Sequence, residues 1–547
     1  MKIGLIGLNS QFVHSALALY YLRECAPDFC QCTIKEYSVN DPILTIFYDL
    51  IATDWDVLAF SVYIWNREPA RRLIDLLRQV RPNTVIVVGG PEPTYSPEAF
   101  SQAHYIVYGA LEATWPQLLE SLAANQVPSL PGLNGAVQFA PEWPFPYRAS
   151  DLAGLQHRLV YYETSRGCPY KCGFCLSAAE KGVAYLPLER VKDELDFFLN
   201  AHIPVVKLVD RTFNQPPERA KEIMAYLLSR PNQGTTFHFE LKGEVIDGEM
   251  LELFRKSPPG LFQVEIGIQT LNQQALAACG RTNKWPETKA LYQELGKLEN
   301  VHTHFDLIAA LPYEDYQSFQ YTFSEAMTIM PSYMQLGFLK LLPGTPLEKA
   351  KVNHGYIAQE YPPYEVVGNK YIGCRELAEL KKIDQFLDVY YNKGRYPNLM
   401  RFAMDKWTQP LFELFHGLAQ GQGEPAATLT ELMPEAAAVW QSLARFDTFM
   451  AGRKIKVQER EEKKLRRLLN NHSRVEELLP HYAAMPYREI YKRLRLGIFP
   501  VTLRAEGQRL IEVKPQGETA VLFDYKVKTN KKSESENTDF YILEFQD

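Results

Sequence analysis

Three cysteines fall within eight positions in "CPYKCGFC", residues 168 to 175 of a 547-residue chain whose other five cysteines (Cys25, Cys30, Cys32, Cys279, Cys374) show no framework spacing. A disulfide among the three would leave one thiol unpaired. A structural zinc site needs a fourth ligand that the C-x3-C-x2-C spacing does not supply, since Cys279 lies about a hundred residues further on and no histidine falls at finger spacing. Soft thiolates also favour iron and sulfur, and a cubane cluster held by three cysteines keeps one iron open to an outside ligand. The cluster is the favoured assignment and structural zinc its main competitor. Gly167, Gly173 and Pro169 suit a tight loop around such a group, and Phe174 can shield it from water.

Elements able to position this loop are readable on both sides of it. The loop follows "LVYYETS" (159 to 165), the first of six strand-like runs; the others are "VVKLVD", "TFHFEL", "FQVEIGIQ", "HTHFDLIAAL" and "YMQLGFLKLL". Helical stretches such as "LERVKDELDFFLNA" and "ERAKEIMAYLLS" alternate with them, which predicts a parallel barrel or part of one with its chemistry at the strand carboxyl ends. Upstream, "KIGLIGL", "VLAFSVYIW", "TVIVVGG" and "YIVYG" read as buried parallel strands between amphipathic helices, giving a doubly wound α/β domain over 1–125. The proline-rich stretch inside 126–150 reads as a linker. The barrel is assigned to 151–350, a mostly helical region to 351–495 and a small β-rich element to 496–547.

Composition narrows the class of function. Hydrophobic content of 46%, charged content of 23% and a net charge of −6 describe an ordinary folded chain with no global case for nucleic acid or acidic membranes. The run "GRKIKVQEREEKKLRRLLNN" and the later "REIYKRLRLG" are locally basic; a solvated helix face is the plain reading and an RNA footprint the alternative. With few cysteines outside the loop, no signal-like opening and no apolar span long enough for a bilayer, the expectation is a reducing, cytoplasmic setting.

The cysteine motif resembles the C-x3-C-x-aromatic-C signature of the radical S-adenosylmethionine enzymes. "EIGIQTLN" and "DLIAALPYED" are similar to segments of that superfamily's fourth and fifth strands, so the likeness covers 159 to about 345. The first domain, with "GGPEPTY" and a degraded "GEGE" at "GALE" (109 to 112), is similar to the cobalamin-binding domain that precedes many such barrels. The resemblance implies an α/β architecture with a Rossmann-like cobalamin domain, a partial TIM barrel and an added C-terminal domain of unassigned role. It implies a [4Fe-4S] cluster on Cys168, Cys172 and Cys175, with S-adenosylmethionine contacted by Phe174, Asp210, Glu240, Gln269 and Arg281.

For cobalamin the implied contacts are Asn9, Gln11, Phe12 and His14 after the first strand, Ser61, Tyr63 and Trp65, then Gly89, Gly90, Glu92 and Tyr95, and finally Gly109 and Glu112. The surroundings of His14 do not fit Asp-x-His-x-x-Gly, so a histidine below the cobalt is not expected. "GALE" departs from the family pattern at Ala110 and Leu111. Asp306, Tyr313 and Glu314 are candidate substrate contacts against the plain reading of ordinary loop polar groups.

The activity implied is methylation of an unactivated carbon of an unidentified substrate, with a flavodoxin- or ferredoxin-type electron donor. The alternatives are a radical enzyme modifying RNA, a non-methylating rearrangement or redox enzyme, and an α/β binding protein that uses zinc or a cluster only for stability.

Overall fold

The computed structural model describes residues 1–109, 111–126, 143–179, 182–421, 423–452, 457–469, 493–525 and 538–543, with Leu479, Tyr482 and Ile490 besides. It separates into two compact units, 1–377 and 378–547.

The first unit opens with a parallel sheet of β1 (Lys2–Asn9), β2 (Gln31–Ser38), β3 (Val57–Ser61), β4 (Val85–Gly89) and β5 (Tyr105–Val107), in the order β2-β1-β3-β4-β5. Central strands β1 and β3 are buried almost end to end, as parallel strands covered on both faces must be. On one face Leu58, Phe60 and Val88 pack against Ile46 and Leu50 and against Ala70, Leu73, Ile74 and Leu77 of the helix Arg67–Val80, whose spacing makes one apolar stripe. On the other, Leu5, Ala59 and Val87 meet Leu19, Trp115 and Leu118. Strand β2 is absent from the sequence reading because it is a half-exposed edge strand, "QCTIKEYS", with no apolar run.

The barrel strands fall on all six expected segments. They are β6 (Leu159–Tyr162), then, after the small ribbon of β7 (Ser165–Gly167) and β8 (Val183–Tyr185), β9 (Val205–Leu208), β10 (Thr236–Leu241), β11 (Phe262–Gln269), β12 (His302–Ala309) and β13 (Tyr333–Phe338). They pair in parallel in chain order, and β6 and β13 do not meet, so the barrel is open. Alternation along the strands sends Phe237, Phe239, Val264, Ile266, Phe305 and Leu307 into the apolar core, and leaves Lys207, Glu240, Glu265, His304 and Asp306 on the other face.

Each free edge is covered. At β6, Leu159 N–H donates to Val13 O at 2.6 Å and Ser15 Oγ to Leu159 O at 2.9 Å, bringing the loop after β1 alongside as an added strand. At the far edge, β14 (Ile357–Ala358) and β15 (Val366–Gly368) form a ribbon, and Val366 N–H donates to Leu339 O at 2.9 Å. The compact first unit thus runs on through 351–377, which the sequence reading had placed in the helical region.

The two sheets of this unit are also tied by charge. Arg23 grips both oxygens of Asp151 at 2.7 Å and donates to Pro146 O at 3.1 Å. Arg158 pairs with Glu36 at 3.2 Å. The described end of the proline-rich stretch is an anchor rather than a linker, because Trp143 is buried beneath the Arg166 guanidinium and Phe145 and Tyr147 edge onto Phe198. Residues 127–142 lie outside the described residues.

In the second unit the helices Pro397–Lys406, Leu411–Gln420, Pro425–Leu432, Ala437–Met450 and Glu459–Leu469 precede β16 (Leu494–Phe499), the hairpin β17 (Thr502–Glu506) and β18 (Arg509–Lys514), β19 (Thr519–Tyr525) and β20 (Thr538–Leu543). Strands β16, β19 and β20 form an antiparallel sheet. Within the basic helix Glu459–Leu469, Arg460 pairs with Glu518 at 2.8 Å, Lys463 with Glu459 at 2.6 Å and Arg466 with Glu462 at 2.9 Å, so these charges are matched locally. Residues 453–456, 470, 471, 488, 489, 491 and 492 of the two basic runs lie outside the described residues.

Arg23 and Asp151 are only 11% and 13% exposed at the side chain. Arg23→Ala strands a carboxylate between the two sheets and is expected to cost about 3 kcal/mol, read as a lower urea midpoint. An unchanged midpoint would mean that this pair does not hold the sheets together.

Candidate active site

The cysteine loop leaves the ribbon at Gly167, whose φ of 93° lies where a side chain is strained. All three thiols are free; Cys168 and Cys172 are buried and Cys175 is half-buried. Below the loop, Asp210 accepts from Thr164 N–H at 2.9 Å, Thr164 Oγ1 at 2.6 Å and Ser165 Oγ at 2.5 Å. Burial pushes its carboxyl up to about 6 against these bonds. Both oxygens are thereby engaged, so Asp210 fastens the loop and is not presented to a cofactor as the sequence reading had it. Above the loop, Gly173 N–H donates to Cys279 O at 2.8 Å and Leu347 N–H to Gly173 O at 2.9 Å.

Among the described residues, no three His, Cys, Asp or Glu side chains converge on one metal ion. Arg281 Nη1 donates to Cys172 Sγ at 3.6 Å, and Thr212 Oγ1 lies 3.5 Å from Cys168 Sγ. The Arg281 contact suits a charged thiolate, whereas the Thr212 hydroxyl donates to Arg211 O at 2.7 Å.

Beside Cys172, strand β11 ends in a register shift between Gly267 and Gln269. Gln269 takes a φ of 67°, a strained conformation for a residue with a side chain. Its amide folds over Gly267, where a Cβ would stand 2.0 Å from Gln269 Nε2 and would push that amide aside. Arg281 Nη2 donates to Gly267 O. Gln269 Oε1 and Arg281 Nε are buried without hydrogen-bond partners, leaving one acceptor and one donor vacant near the thiols. Phe174 is half-buried on the loop itself.

The remaining expected residue, Glu240, belongs to a charged network on the inner face of the barrel. Lys207 Nζ lies 3.3 Å from Glu240 and 3.0 Å from Glu265, and His238 Nε2 is 3.1 Å from Glu265 Oε2. Burial would raise Glu265, but His238 and Lys207 overcome it and hold the carboxyl well below the usual range. Asp306, 3.0 Å from His304 Nε2, is pushed up by burial and by Glu265. Lys207, His238, Glu265 and His304 were missed in the sequence. Their signal is a polar residue at every second place in otherwise apolar strands.

At the carboxyl ends of the first sheet, the order β2-β1-β3-β4-β5 puts the switch point between β1 and β3. Asn66, also unforeseen, staples it: its Nδ2 donates to Leu8 O at 2.9 Å and Ser61 O at 3.0 Å, and its Oδ1 accepts from Tyr63 N–H at 2.7 Å. Tyr63 and Trp65 stack at 4.6 Å with Trp65 45% exposed, and the Ser61 hydroxyl bonds Tyr63. Gly90 has a φ of 109°, and a Cβ there would fall 2.4 Å from Val62 O. Gly89 ends β4 beside Val107, and Gly109 takes a φ of 73° with open space around it. Gln11 and Phe12 are exposed, Phe12 under the Arg158 guanidinium at 4.8 Å.

Four of the expected cobalamin contacts serve instead to join the parts of this unit. Asn9 donates to His14 O and to Glu36, and His14 Nδ1 is 2.7 Å from the Tyr161 hydroxyl, with burial and Lys207 holding its ring neutral. Glu92 accepts from the Tyr364 hydroxyl at 2.7 Å and pairs with Arg67 at 3.4 Å. The Tyr95 ring lies against Gly344. The side chain of Glu112 lies outside the described residues, as does Ala110.

Tyr313 has a φ of 63° and stacks near His354 and Tyr371 at 5.6 and 5.0 Å. Glu314 is fully buried. Thr270 Oγ1 donates to its Oε1, its Oε2 has no partner, and burial pushes the carboxyl up to about 8. Glu314 is thus a buried neutral acid tying β11 to β12, and no substrate contact.

Comparison with known proteins accords with this geometry. Residues 3–119 match the B12 binding domain, residues 162–326 the Radical SAM superfamily, and residues 352–424 a family described as "Protein of unknown function (DUF4080)". The chain therefore carries a B12-binding domain followed by a radical SAM domain. The 2-(S-pantetheinyl)-carbapenam-3-carboxylate methyltransferase of Streptantibioticus cattleyicolor is 28% identical over 334 residues, covering 52% of this chain and 49% of the relative. The cobalamin-dependent radical SAM methyltransferase TokK of Streptomyces tokunonensis is 25% identical over 297 residues, covering 48% and 44%. This chain thus spans about half the length of these curated relatives.

Among solved structures, the cobalamin-dependent S-adenosylmethionine radical enzyme OxsB shares the fold with a TM-score of 0.57 at 16% identity, over 82% of this chain and 79% of that one. TsrM from Kitasatospora setae, solved with cobalamin and a [4Fe-4S] cluster, gives 0.53 at 15% identity, over 66% and 77%.

Between the ordinary glutamate value near 4.3 and about 8, folded Glu314 keeps a proton that the unfolded chain has lost, so its contribution makes stability fall as pH rises through that window. Glu314→Gln is expected to remove that fall, on the order of 4 kcal/mol, in urea melts at pH 5 and pH 9. Equal pH slopes in the two proteins would refute the assignment.

Proposed function

We propose that this protein is a cobalamin-dependent radical SAM methyltransferase that carries a [4Fe-4S] cluster on Cys168, Cys172 and Cys175 and methylates an unactivated carbon of its substrate. The observation that carries this reading is the set of three free thiols beside the vacant Gln269 acceptor and Arg281 donor. An amino acid group bound at an open iron offers what those two atoms lack, an ammonium that donates and a carboxylate that accepts.

When bound, the cluster and cobalamin supply one-electron cleavage of S-adenosylmethionine and carriage of the methyl group. The residues of this chain hold the reactants. Asp210 keeps the thiol loop in one conformation, and Arg281 lowers the cost of charge on Cys172. The stacked pair Tyr63 and Trp65 offers an aromatic face to a flat macrocycle at the switch point, beside the turn where Gly90 packs against the Val62 backbone. The network of Lys207, Glu240, Glu265, His238, His304 and Asp306 gives the inner face hydrogen-bonding groups that orient a polar substrate. Neutral His14, held to Tyr161, docks the two sheets to each other.

Anaerobic treatment with iron and sulfide is expected to load about one cluster per chain and to support formation of 5′-deoxyadenosine from S-adenosylmethionine under a reductant. Cys172→Ala is expected to abolish both while circular dichroism is unchanged. Arg281→Ala should load the cluster but bind S-adenosylmethionine about 10- to 100-fold more weakly. Tight zinc with no iron uptake would overturn the proposal.

A further inference from the structure

We infer that residues 352–372, the start of the stretch matching the family of unknown function, are a clamp that fixes the two turns proposed to receive cobalamin, with Tyr364 as the positioning residue. The inference rests on the cobalamin reading above. Those turns follow β3 and β4, beyond the ends of the sheet's own ladder. Asn66 fastens the first of them to Leu8 and Ser61, and the next residue, Arg67, reaches across to the second. Arg67 Nη1 stands 3.4 Å from Glu92 Oε2, which is long for a charge-assisted bond. The Tyr364 hydroxyl completes the link: it accepts from Arg67 and donates to Glu92 at 2.7 Å, and its ring lies 5.8 Å from the guanidinium carbon. Tyr364 and Glu92 are 4% and 5% exposed, so water does not replace the hydroxyl when it is lost.

Tyr364 is itself held by the barrel. Its carbonyl accepts from Leu341 N–H at 2.9 Å and Val366 N–H donates to Leu339 O at 2.9 Å, so the chain on both sides of Glu365 is bonded to the segment after β13. At the end of β12, Ala310 O accepts from the Tyr356 hydroxyl at 3.1 Å and from Asn369 Nδ2 at 3.0 Å, while Tyr313 packs on His354 and Tyr371. Ala310, Tyr313 and Tyr364 take φ values of 71°, 63° and 59°, three of the seven positive values found on non-glycine residues among the described residues. Such conformations are costly and persist where the surroundings impose them. Here the surroundings are residues 352–372, and they meet the carboxyl ends of both sheets. One short stretch thus grips the turn that carries Tyr63 and Trp65, the turn at 90–95 and the end of a barrel strand. A contact that only docks two domains adds stability. A contact placed between two turns of a binding site also sets their spacing, and the affinity for a rigid, bulky ligand depends on how far that spacing is fixed in advance.

The test uses the full chain and hydroxocobalamin as the probe, with binding followed by absorbance and no iron loaded. Tyr364→Phe keeps the ring and removes the hydroxyl, and should weaken hydroxocobalamin binding about 10-fold. Glu92→Ala should do the same, and the double variant should bind no more weakly than either single one, because the two changes break one shared bond. Arg23→Ala, which loosens the same two sheets through Asp151, should leave the affinity at the wild-type value, as should Tyr361→Phe at a position 62% exposed. Iron uptake by the cysteine loop should be unchanged in Tyr364→Phe. Wild-type affinity in Tyr364→Phe, additive losses in the double variant, an equal loss in Arg23→Ala, or a loss of iron uptake alongside the loss of affinity overturns the clamp. Failure of the wild-type chain to bind hydroxocobalamin overturns the cobalamin reading instead.

Discussion

A buried carboxylate holds the reactive loop. Asp210 has no access to water, and a carboxyl in that position is costly unless hydrogen bonds meet it. Thr164 and Ser165 meet it, and they are the residues from which the chain turns into the cysteines. The start of the loop cannot move away without leaving the acid unpaired, so Thr164 and Ser165 are held in one arrangement. The contacts of Gly173 with Cys279 and Leu347 press on the loop from the other side. A group whose ligands come from a single short loop needs this kind of support, because eight residues alone have many conformations.

The inner and outer faces of the barrel sheet divide the labour. Outward residues such as Phe239, Ile266 and Leu307 bury apolar area against helices and supply stability, while inward positions are released from packing and can be charged. Their charges are arranged to satisfy one another: Lys207 sits between two glutamates, and Glu265 is held ionised by Lys207 and His238. The barrel is left open between β6 and β13, and both edges are completed by other parts of the first unit, the loop after β1 and the strand β15. This explains why residues expected to touch a cofactor, Asn9, His14, Glu92 and Tyr95, are found joining segments. The carboxyl ends of both sheets are also where these segments meet, and a polar residue there serves either end.

Much of the architecture was legible from local pattern. Continuous apolar runs marked β1 and β3, and the regular exchange of strand-like and helical runs marked the barrel strands β11 and β12. The edge strand β2 escaped since a half-exposed strand need not be apolar. In the site, the three cysteines stood out by residue type and spacing, while Gln269 and Arg281 entered as expected contacts only through the family resemblance. Asp210 and Glu314 were candidates for cofactor and substrate contact, but their use was not legible, because a carboxylate on a cofactor and one under a loop look alike in a sequence. Asn66 and the Lys207 network were invisible singly; each is an ordinary polar residue until its neighbours are known.

The amino-acid sequence alone determined the run of three cysteines after the first barrel strand, the six barrel strands and the presence of two α/β sheets, since these follow from residue chemistry and from periods of two and 3.6 residues along the chain. Tertiary structure alone decided which polar groups remain unpartnered. Gln269 Oε1 and Arg281 Nε are vacant beside Cys172, while both oxygens of Asp210 are bonded. Hydrogen-bond satisfaction is a property of neighbours brought together from positions about a hundred residues apart, and no local pattern carries it.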